Sequence, residues 1–223
     1  MRSLIHEQPH EKPVASGRYR YERQGQATGA AESWRLSDVD DGYHFLRVDL
    51  NRQETERGSS VLYHLTIGPA GRPERLSFRF FKGARTISGN VLFEDELVTS
   101  ARNVDEARLE EVVSLPPGYA FWFPATAGLG LLPATVKGTA PAVTLNEDEQ
   151  FALHTTEVTV TNSTVERVTV MGQSVPARRV TVRGAGHEWL IWLDAHDWPV
   201  RVQSDDLTAV ETRLLRYRDE TDG

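Results

Sequence analysis

Short segments in which apolar and polar residues alternate recur along most of the chain. Tyr19 and Tyr21 alternate with charged neighbours near the N-terminus, and Val180 and Val182 alternate with arginine and threonine in the C-terminal third. A period of two residues is typical of a strand with one buried face and one solvated face. Turn signals rich in glycine, proline or aspartate separate the segments at spacings of about 8 to 12 residues, which indicates an antiparallel meander.

These segments predict a mainly β fold, or a β-rich α+β fold, built on a single large antiparallel sheet. We expect one β-rich domain over residues 17–218. A flexible, polar N-terminal leader over residues 1–16, containing Pro9 and Pro13, would precede it. The alternative is a boundary near residue 140. One continuous sheet is favoured because neither half of the chain contains a helical layer that could cover its apolar face.

Residues 103–113 differ from the alternating segments. Their sequence, NVDEARLEEVV, places Asp105 before several good helix formers, and four of the apolar residues could share one helical face. This pattern predicts a short helix. The competing interpretation is a strand from Leu109 to Leu115.

The least polar part of the chain lies in its middle. No charged residue occurs from Ala120 through Val136, and an aromatic cluster stands at the start of this stretch. Such a run must be buried or must line something apolar. A second aromatic pair, Trp189 and Trp192, lies in one predicted strand at positions that face opposite sides of the sheet. At least one of these two rings must therefore point away from a simple core.

These aromatic residues, with those of a predicted β-hairpin, are the candidate ligand-binding residues, because ligand pockets are mostly apolar with a few polar groups. The candidates are Tyr63, Phe78, Phe80, Tyr119, Phe121, Trp122, Phe123, Trp189 and Trp192. The alternative is that these rings only pack the core, as aromatic side chains usually do.

The composition narrows the class of protein. The chain has 223 residues, a formal net charge of -7 and no cysteine. Without cysteine it has no disulfide, thiolate metal site or cysteine nucleophile, and the cytoplasm is the expected location. The acidic balance argues against a nucleic-acid-binding protein. The N-terminus lacks the apolar core of a signal peptide, and no apolar run reaches the roughly 18 residues that span a membrane.

Motifs for catalysis or cofactor binding are absent from the sequence. It contains no HExxH zinc motif, no GxSxG nucleophile elbow and no glycine-rich phosphate loop. We therefore assign no metal, no cofactor and no catalytic residue, and favour a protein that is not an enzyme. For an enzyme, the polar candidates would be Tyr63, His64, Arg79 and His187, because they lie on or beside aromatic strands.

The C-terminal third has a characteristic order of elements. Residues 168–205 read VTVMGQSVPARRVTVRGAGHEWLIWLDAHDWPVRVQSD. A strand, a glycine turn, a second strand and a tight turn precede a tryptophan-bearing strand and a strand opened by proline. This order resembles the closing strands of uncharacterised bacterial families whose fold is like that of the lipoprotein-localisation factors (LolA/LolB-like).

The resemblance implies a curved antiparallel sheet that forms an open half-barrel with a short helix or loop as a lid. Its concave face would bind or carry a hydrophobic small molecule or an acyl or lipid ligand, which is the function we expect. The architecture is also similar to that of a cofactor-free enzyme of indole-pigment biosynthesis, so an enzyme acting on an apolar substrate in the same cavity is one alternative. The other is a β-sheet protein-interaction module, with a homodimer as one form.

Overall fold

The structure is a computed structural model that describes residues 10–216, except for the side chains of residues 163 and 213–216. It is mainly β, with 68% of residues in strands and 6% in helices. The strands of the first half are β1 (Lys12–Arg23), β2 (Gln26–Asp38), β3 (His44–Arg52), β4 (Ser59–Ile67), β5 (Pro73–Lys82), β6 (Arg85–Phe93), β7 (Leu97–Val104) and β8 (Ala107–Ser114).

The second half begins with a very short strand and two short helices. The strands are β9 (Ala120–Phe121), β10 (Gly138–Asn146), β11 (Ala152–Val170), β12 (Gln173–Gly184), β13 (His187–Leu193), β14 (Pro199–Ser204) and β15 (Leu207–Arg216). The helices are α1 (Thr126–Leu129) and α2 (Leu131–Thr135), and a single 3-10 turn spans Asp40–Gly42. Within the described residues, no helix approaches the length needed to cross a bilayer.

The fifteen strands of the described residues form one open sheet. Its order is β8-β7-β6-β5-β4-β3-β2-β1-β15-β14-β13-β12-β11-β10-β9, so the first and last strands pair in its middle. Thirteen of the neighbouring pairs are antiparallel, and β9 pairs with β10 in parallel through two residue pairs only. The predicted single antiparallel sheet is confirmed, and it continues through residue 140 within β10.

Alternation along the strands separates two faces. We call the face that carries Leu46, Tyr63, Leu76 and Ile191, each fully buried, the inner face. The opposite, outer face carries mostly polar side chains. Because the inner side chains of both halves belong to one cluster of buried residues, the main core lies on the inner face.

The sheet curves enough for strands near its two ends to meet. The backbone N–H of Leu153 in β11 donates to Oε2 of Glu111 in β8 at 2.9 Å. Phe151, just before β11, stacks against Phe78 of β5, with the ring centroids 4.9 Å apart. No backbone pairing joins β8 to β9, β10 or β11 in the described part of the chain, so the sheet remains unclosed.

The helix predicted over residues 103–113 is wrong. β7 ends at Val104, Asp105 adopts a left-handed φ of 53° in a tight turn, and β8 begins at Ala107. β8 is the terminal strand of the sheet and most of its residues are exposed, so helix-forming residues such as glutamate and arginine are tolerated there. Pairing with β7 outweighs their local preference, and the competing strand interpretation, Leu109–Leu115, is much closer.

The leader predicted over residues 1–16 is too long, because β1 begins at Lys12. Pro13 lies within β1, opposite Ser37 of β2. Residues 1–9 of that leader, and residues 217–218 of the predicted domain, lie outside the described residues.

Candidate functional site

The uncharged stretch predicted to be buried is mostly buried, apart from Ala134 and Thr135, and it covers the inner face. We call Trp122–Val136 the plug; it comprises α1, α2 and their flanking residues. Phe123, Ala127 and Leu132 are each fully buried. The plug fills the space between the two halves of the curved sheet: Phe123 packs against Tyr63, and Gly130 lies against Pro199 of β14.

A buried carboxylate on the sheet holds the start of the plug. The backbone N–H groups of Thr126 and Ala127 each donate to Glu32 of β2 at 2.8 Å. The hydroxyl of Tyr21 donates to Oε2 of the same carboxylate and lies 2.8 Å from Thr126 Oγ1. These bonds satisfy the first amides of α1, which have no partner within the helix. They also tie the plug to β2.

The electrostatics of Glu32 are dominated by burial. Its side chain is fully buried, and burial raises the pKa of the carboxyl group, whereas the hydrogen bonds from Tyr21, Ala127 and Thr126 lower it. Burial also raises the pKa of Tyr21 well above its usual value, and the neighbouring Glu32 adds to this rise. Both effects disfavour additional negative charge at this point. The pair therefore forms a short polar link within an apolar interior.

Eight of the nine predicted ligand-binding residues lie together on or against the inner face. They are Tyr63, Phe78, Phe80, Phe121, Trp122, Phe123, Trp189 and Tyr119. The first six are at most 7% exposed, and Trp189 is partly buried. Tyr63 and Phe123 have ring centroids 4.6 Å apart, and the ring of Trp122 meets that of Trp189 edge-on at 6.3 Å. With the plug in place, these rings pack against one another as a core.

Tyr119 packs at the edge of this group, whereas Trp192 lies apart from it. Tyr119 is partly buried at the rim, and its hydroxyl donates to the carbonyl oxygen of Glu94 at 2.8 Å. Trp192 faces the outer side of β13, where it joins a small second cluster with Val168, Val170, Ala177 and Val200. Its indole N–H donates to Glu166, and the guanidinium of Arg201 lies 4.9 Å from the ring centroid. The expectation that one tryptophan faces away from the main core is confirmed.

The polar residues considered for an enzyme do not converge. Tyr63 lies on the inner face, whereas His64 and Arg79 lie on the outer face of β4 and β5. His187 is exposed at the start of β13, with its ring 5.5 Å from Trp189. Burial and the nearby Arg47 lower the pKa of His64 to about 4. Tyr63 and His187 thus lie on the inner side, but Tyr63 is buried and His187 is exposed at a strand end, and the other two lie on the opposite face.

One end of the inner face is polar, and sequence reasoning missed it. There Arg52 of β3 donates to Glu147 Oε1 at 2.6 Å. Arg102 of β7 makes two hydrogen bonds to Glu111, at 2.6 and 2.9 Å. Phe151, in the same turn as Glu147, was also missed, although its ring is fully buried. The alternating polar residues of β3 and the aromatic residue just before β11 were the sequence signals that could have revealed these residues.

Two surface depressions lie outside these clusters. One, of about 730 Å³, is lined by Glu94, Asp95, Glu96, Leu97, Ser114 and Pro117. The other, of about 320 Å³, is lined by Lys12 and residues 38–44. Neither depression is lined by any of the nine predicted ligand-binding residues. In the described part of the chain, no three metal-binding side chains converge.

Comparison with known proteins found no match to a protein-family model and no match among characterised proteins. Among solved structures, the chain is similar to a protein of Parabacteroides distasonis described as a "putative lipoprotein". The match covers 93% of this chain and 97% of that chain, at 8% sequence identity and a TM-score of 0.34.

Proposed function

We propose that the protein binds or carries an acyl chain or another hydrophobic small molecule on the inner face of its sheet, in the space that the plug fills. This proposal rests on the nature of the plug, the segment that fills the space over the inner face. The inner face is covered by a short segment that is not part of the sheet, bears no charge and is tied to β2 through Glu32. A lipoprotein-localisation-factor-like half-barrel with the plug as its lid is the finer form of this proposal.

The plug has little structure of its own to hold it in place. Its helices are four and five residues long, and isolated helices shorter than about 12 residues are marginal in water. Its position therefore depends on its contacts with the sheet. Moving it leaves the pairing of the strands almost unchanged, because the adjoining β9 contributes only two residue pairs.

Replacing the plug by an acyl chain changes the free energy of hydrophobic burial little. Burying a side chain such as Phe123 or Leu132 contributes roughly 1.5–3 kcal/mol, so the buried apolar residues of the plug together contribute on the order of 10 kcal/mol. A 16-carbon chain contributes roughly 0.8 kcal/mol for each buried methylene, or about 12 kcal/mol in all. The two terms are of the same order, so an acyl chain can replace the plug without a large net loss.

Photo-crosslinking tests this proposal. The protein is incubated with palmitate that carries a diazirine group, illuminated and digested, and the labelled peptides are identified by mass spectrometry. We expect labels on inner-face residues that the plug covers, such as Tyr63. Labels confined to exposed apolar residues of the outer surface, such as Val112, Val165 and Met171, would argue for nonspecific adsorption.

A matched pair of variants adds a second readout. Glu32→Gln removes the charge that accepts the amides of α1, so the plug should open more often and labelling should increase. Glu157→Gln makes the same chemical change on an exposed residue of β11 and should leave labelling unchanged. Equal labelling of both variants and the parent protein would contradict a role for the plug.

A further inference from the structure

The polar end of the inner face contains an ion pair that is nearly enclosed. Arg52 donates to Glu147 Oε1 at 2.6 Å, and each side chain is only 13% exposed. The exposed Arg57 lies 3.8 Å from the same carboxylate. Nε of Arg52 is buried and has no hydrogen-bond partner among the described residues. This guanidinium therefore retains an unused donor that points into the protein.

Two hydroxyl groups of β4, the strand beside Arg52, also lack hydrogen-bond partners in the part of the chain that the structure describes. Ser59, directly opposite Arg52 in the register of β3 and β4, is 1% exposed, and its Oγ has no hydrogen bond within residues 10–216. The same holds for the hydroxyl of Tyr63, which is fully buried further along β4. Burial raises the pKa of Tyr63, with Glu147 adding to the rise and Arg52 opposing it, so the hydroxyl lies within electrostatic reach of the ion pair.

Buried polar groups without partners are uncommon, because leaving one unpaired costs about 1–3 kcal/mol. Here a guanidinium N–H of β3 and two hydroxyls of β4 share this condition on the inner side of neighbouring strands. Together they form a set of donors suited to an oxyanion. Glu147 supplies such a group from within the chain.

Glu147 belongs to a strained turn. Residues 147–151 join β10 to β11 and cover this end of the inner face, with Gln150 and Phe151 at φ values of 60° and 63°. A non-glycine residue with a left-handed backbone conformation costs of the order of 1 kcal/mol. Phe151 is inserted against Phe78 and Phe80. The turn therefore holds both a carboxylate on Arg52 and a large apolar group beside the predicted aromatic residues.

We propose that Arg52 is the receptor for the anionic head group of an amphiphile, a carboxylate or a phosphate, which replaces Glu147. The first part of the hydrocarbon tail replaces Phe151, and the rest of the tail occupies the space of the plug. Ser59 and Tyr63 donate hydrogen bonds to the head group. The inference rests on the proposed function, to which it adds the class of ligand. The exchange keeps Arg52 paired throughout, which matters because an unpaired buried charge is costly. It also releases the strain of the turn.

Binding of three 16-carbon amphiphiles tests the inference. Palmitate, hexadecyl phosphate and hexadecanol share a tail and differ in the head group, and calorimetry gives a Kd for each. We expect both anions to bind at least about tenfold more tightly than hexadecanol, the size of one hydrogen bond to a charged group. The tighter of the two anions identifies carboxylate or phosphate as the natural head group.

Variants of the turn assign the effect to Arg52. Glu147→Gln removes the competing carboxylate and should tighten palmitate binding by about tenfold, with hexadecanol unchanged. Glu149→Gln makes the same change in charge at an exposed position of the same turn and should have no effect. Arg52→Gln should abolish the preference for anions. Because Glu147 lies in a turn, its variant keeps the test valid if Arg52→Gln fails to fold.

The outcomes separate the two proposals. If all three amphiphiles bind equally, or if Glu149→Gln matches Glu147→Gln, the head-group assignment is overturned while binding of an apolar ligand stands. If none of the three binds to the protein or to its Glu147→Gln variant, the proposed function is overturned, and this inference with it.

Discussion

Phe151 combines full burial with a left-handed backbone, and this combination makes an unusual prediction. Replacing a buried phenylalanine by alanine costs about 3–5 kcal/mol of stability. Glycine normally costs a further 0.5–1 kcal/mol relative to alanine, because the unfolded chain gains freedom. At a φ of 63°, however, alanine retains a steric cost of about 1–2 kcal/mol that glycine avoids. The second effect is larger, so Phe151→Gly should be more stable than Phe151→Ala by up to about 1.5 kcal/mol.

Phe80 provides the matched control. Its ring packs against that of Phe151 at a centroid distance of 5.4 Å and is nearly buried, but it lies within β5 with an ordinary φ. There we expect the usual order, with Phe80→Gly less stable than Phe80→Ala by about 0.5–1 kcal/mol.

Urea unfolding followed by tryptophan fluorescence measures all four variants. The free energy of unfolding is obtained from the midpoint and slope of each transition. We expect the difference in the free energy of unfolding between the alanine and glycine variants to have opposite signs at residues 151 and 80. If glycine is the less stable choice at residue 151 as well, the turn does not hold Phe151 in a strained conformation. The release of strain invoked for ligand exchange would then also be wrong.

Three further changes test other parts of the structure. Gly17→Ala should lower stability by about 1–3 kcal/mol, because the added Cβ would lie 2.4 Å from Nε1 of Trp34; an unchanged melting temperature would contradict this packing. In the folded protein His64 has a pKa of about 4 and stays neutral down to that pH. In the unfolded chain the same histidine takes up a proton below about pH 6.5. As the pH is lowered from about 6.5 to 4, the free energy of unfolding relative to that of His64→Gln should therefore fall. The loss should be less than the roughly 3 kcal/mol expected for a fully buried group. The pH dependence expected for Glu32 is opposite, because burial raises its pKa. The free energy of unfolding relative to that of Glu32→Gln should fall as the pH rises through the raised pKa. Urea unfolding at a series of pH values measures this change.

The strands were predictable from sequence wherever one face is buried. Val180 and Val182 are fully buried on β12, as their alternation indicates. β8 was not predictable in this way, because its exposed residues carry no alternating signal and its composition favours a helix. A terminal strand has a neighbour on one side only, so its sequence is the least constrained in the sheet. Its place is set by pairing with β7, which a local pattern cannot reveal.

The candidate site was predictable only in its apolar part. The absence of charge from Ala120 through Val136 correctly predicted burial, because an apolar run has few other places to go. Glu32 and Glu147 were missed because a glutamate in a strand or turn is ordinarily solvated. Their partners lie 94 and 95 positions away in the chain, at Thr126 and Arg52. Such pairs follow from the topology of the sheet and leave no local trace.

The topology of the sheet also explains why a sheet with unpaired ends has the plug over its inner face. Strands β1 to β8 extend the sheet in one direction, and β15 back to β10 extend it in the other, so the chain must pass from one end to the other after β8. It does so across the concave side, and the crossing segment is the plug. The plug therefore joins the two halves without belonging to the ladder of either, apart from the two residues of β9. Displacing it exposes apolar surface but breaks few strand hydrogen bonds, which is the physical condition that exchange with an amphiphile requires.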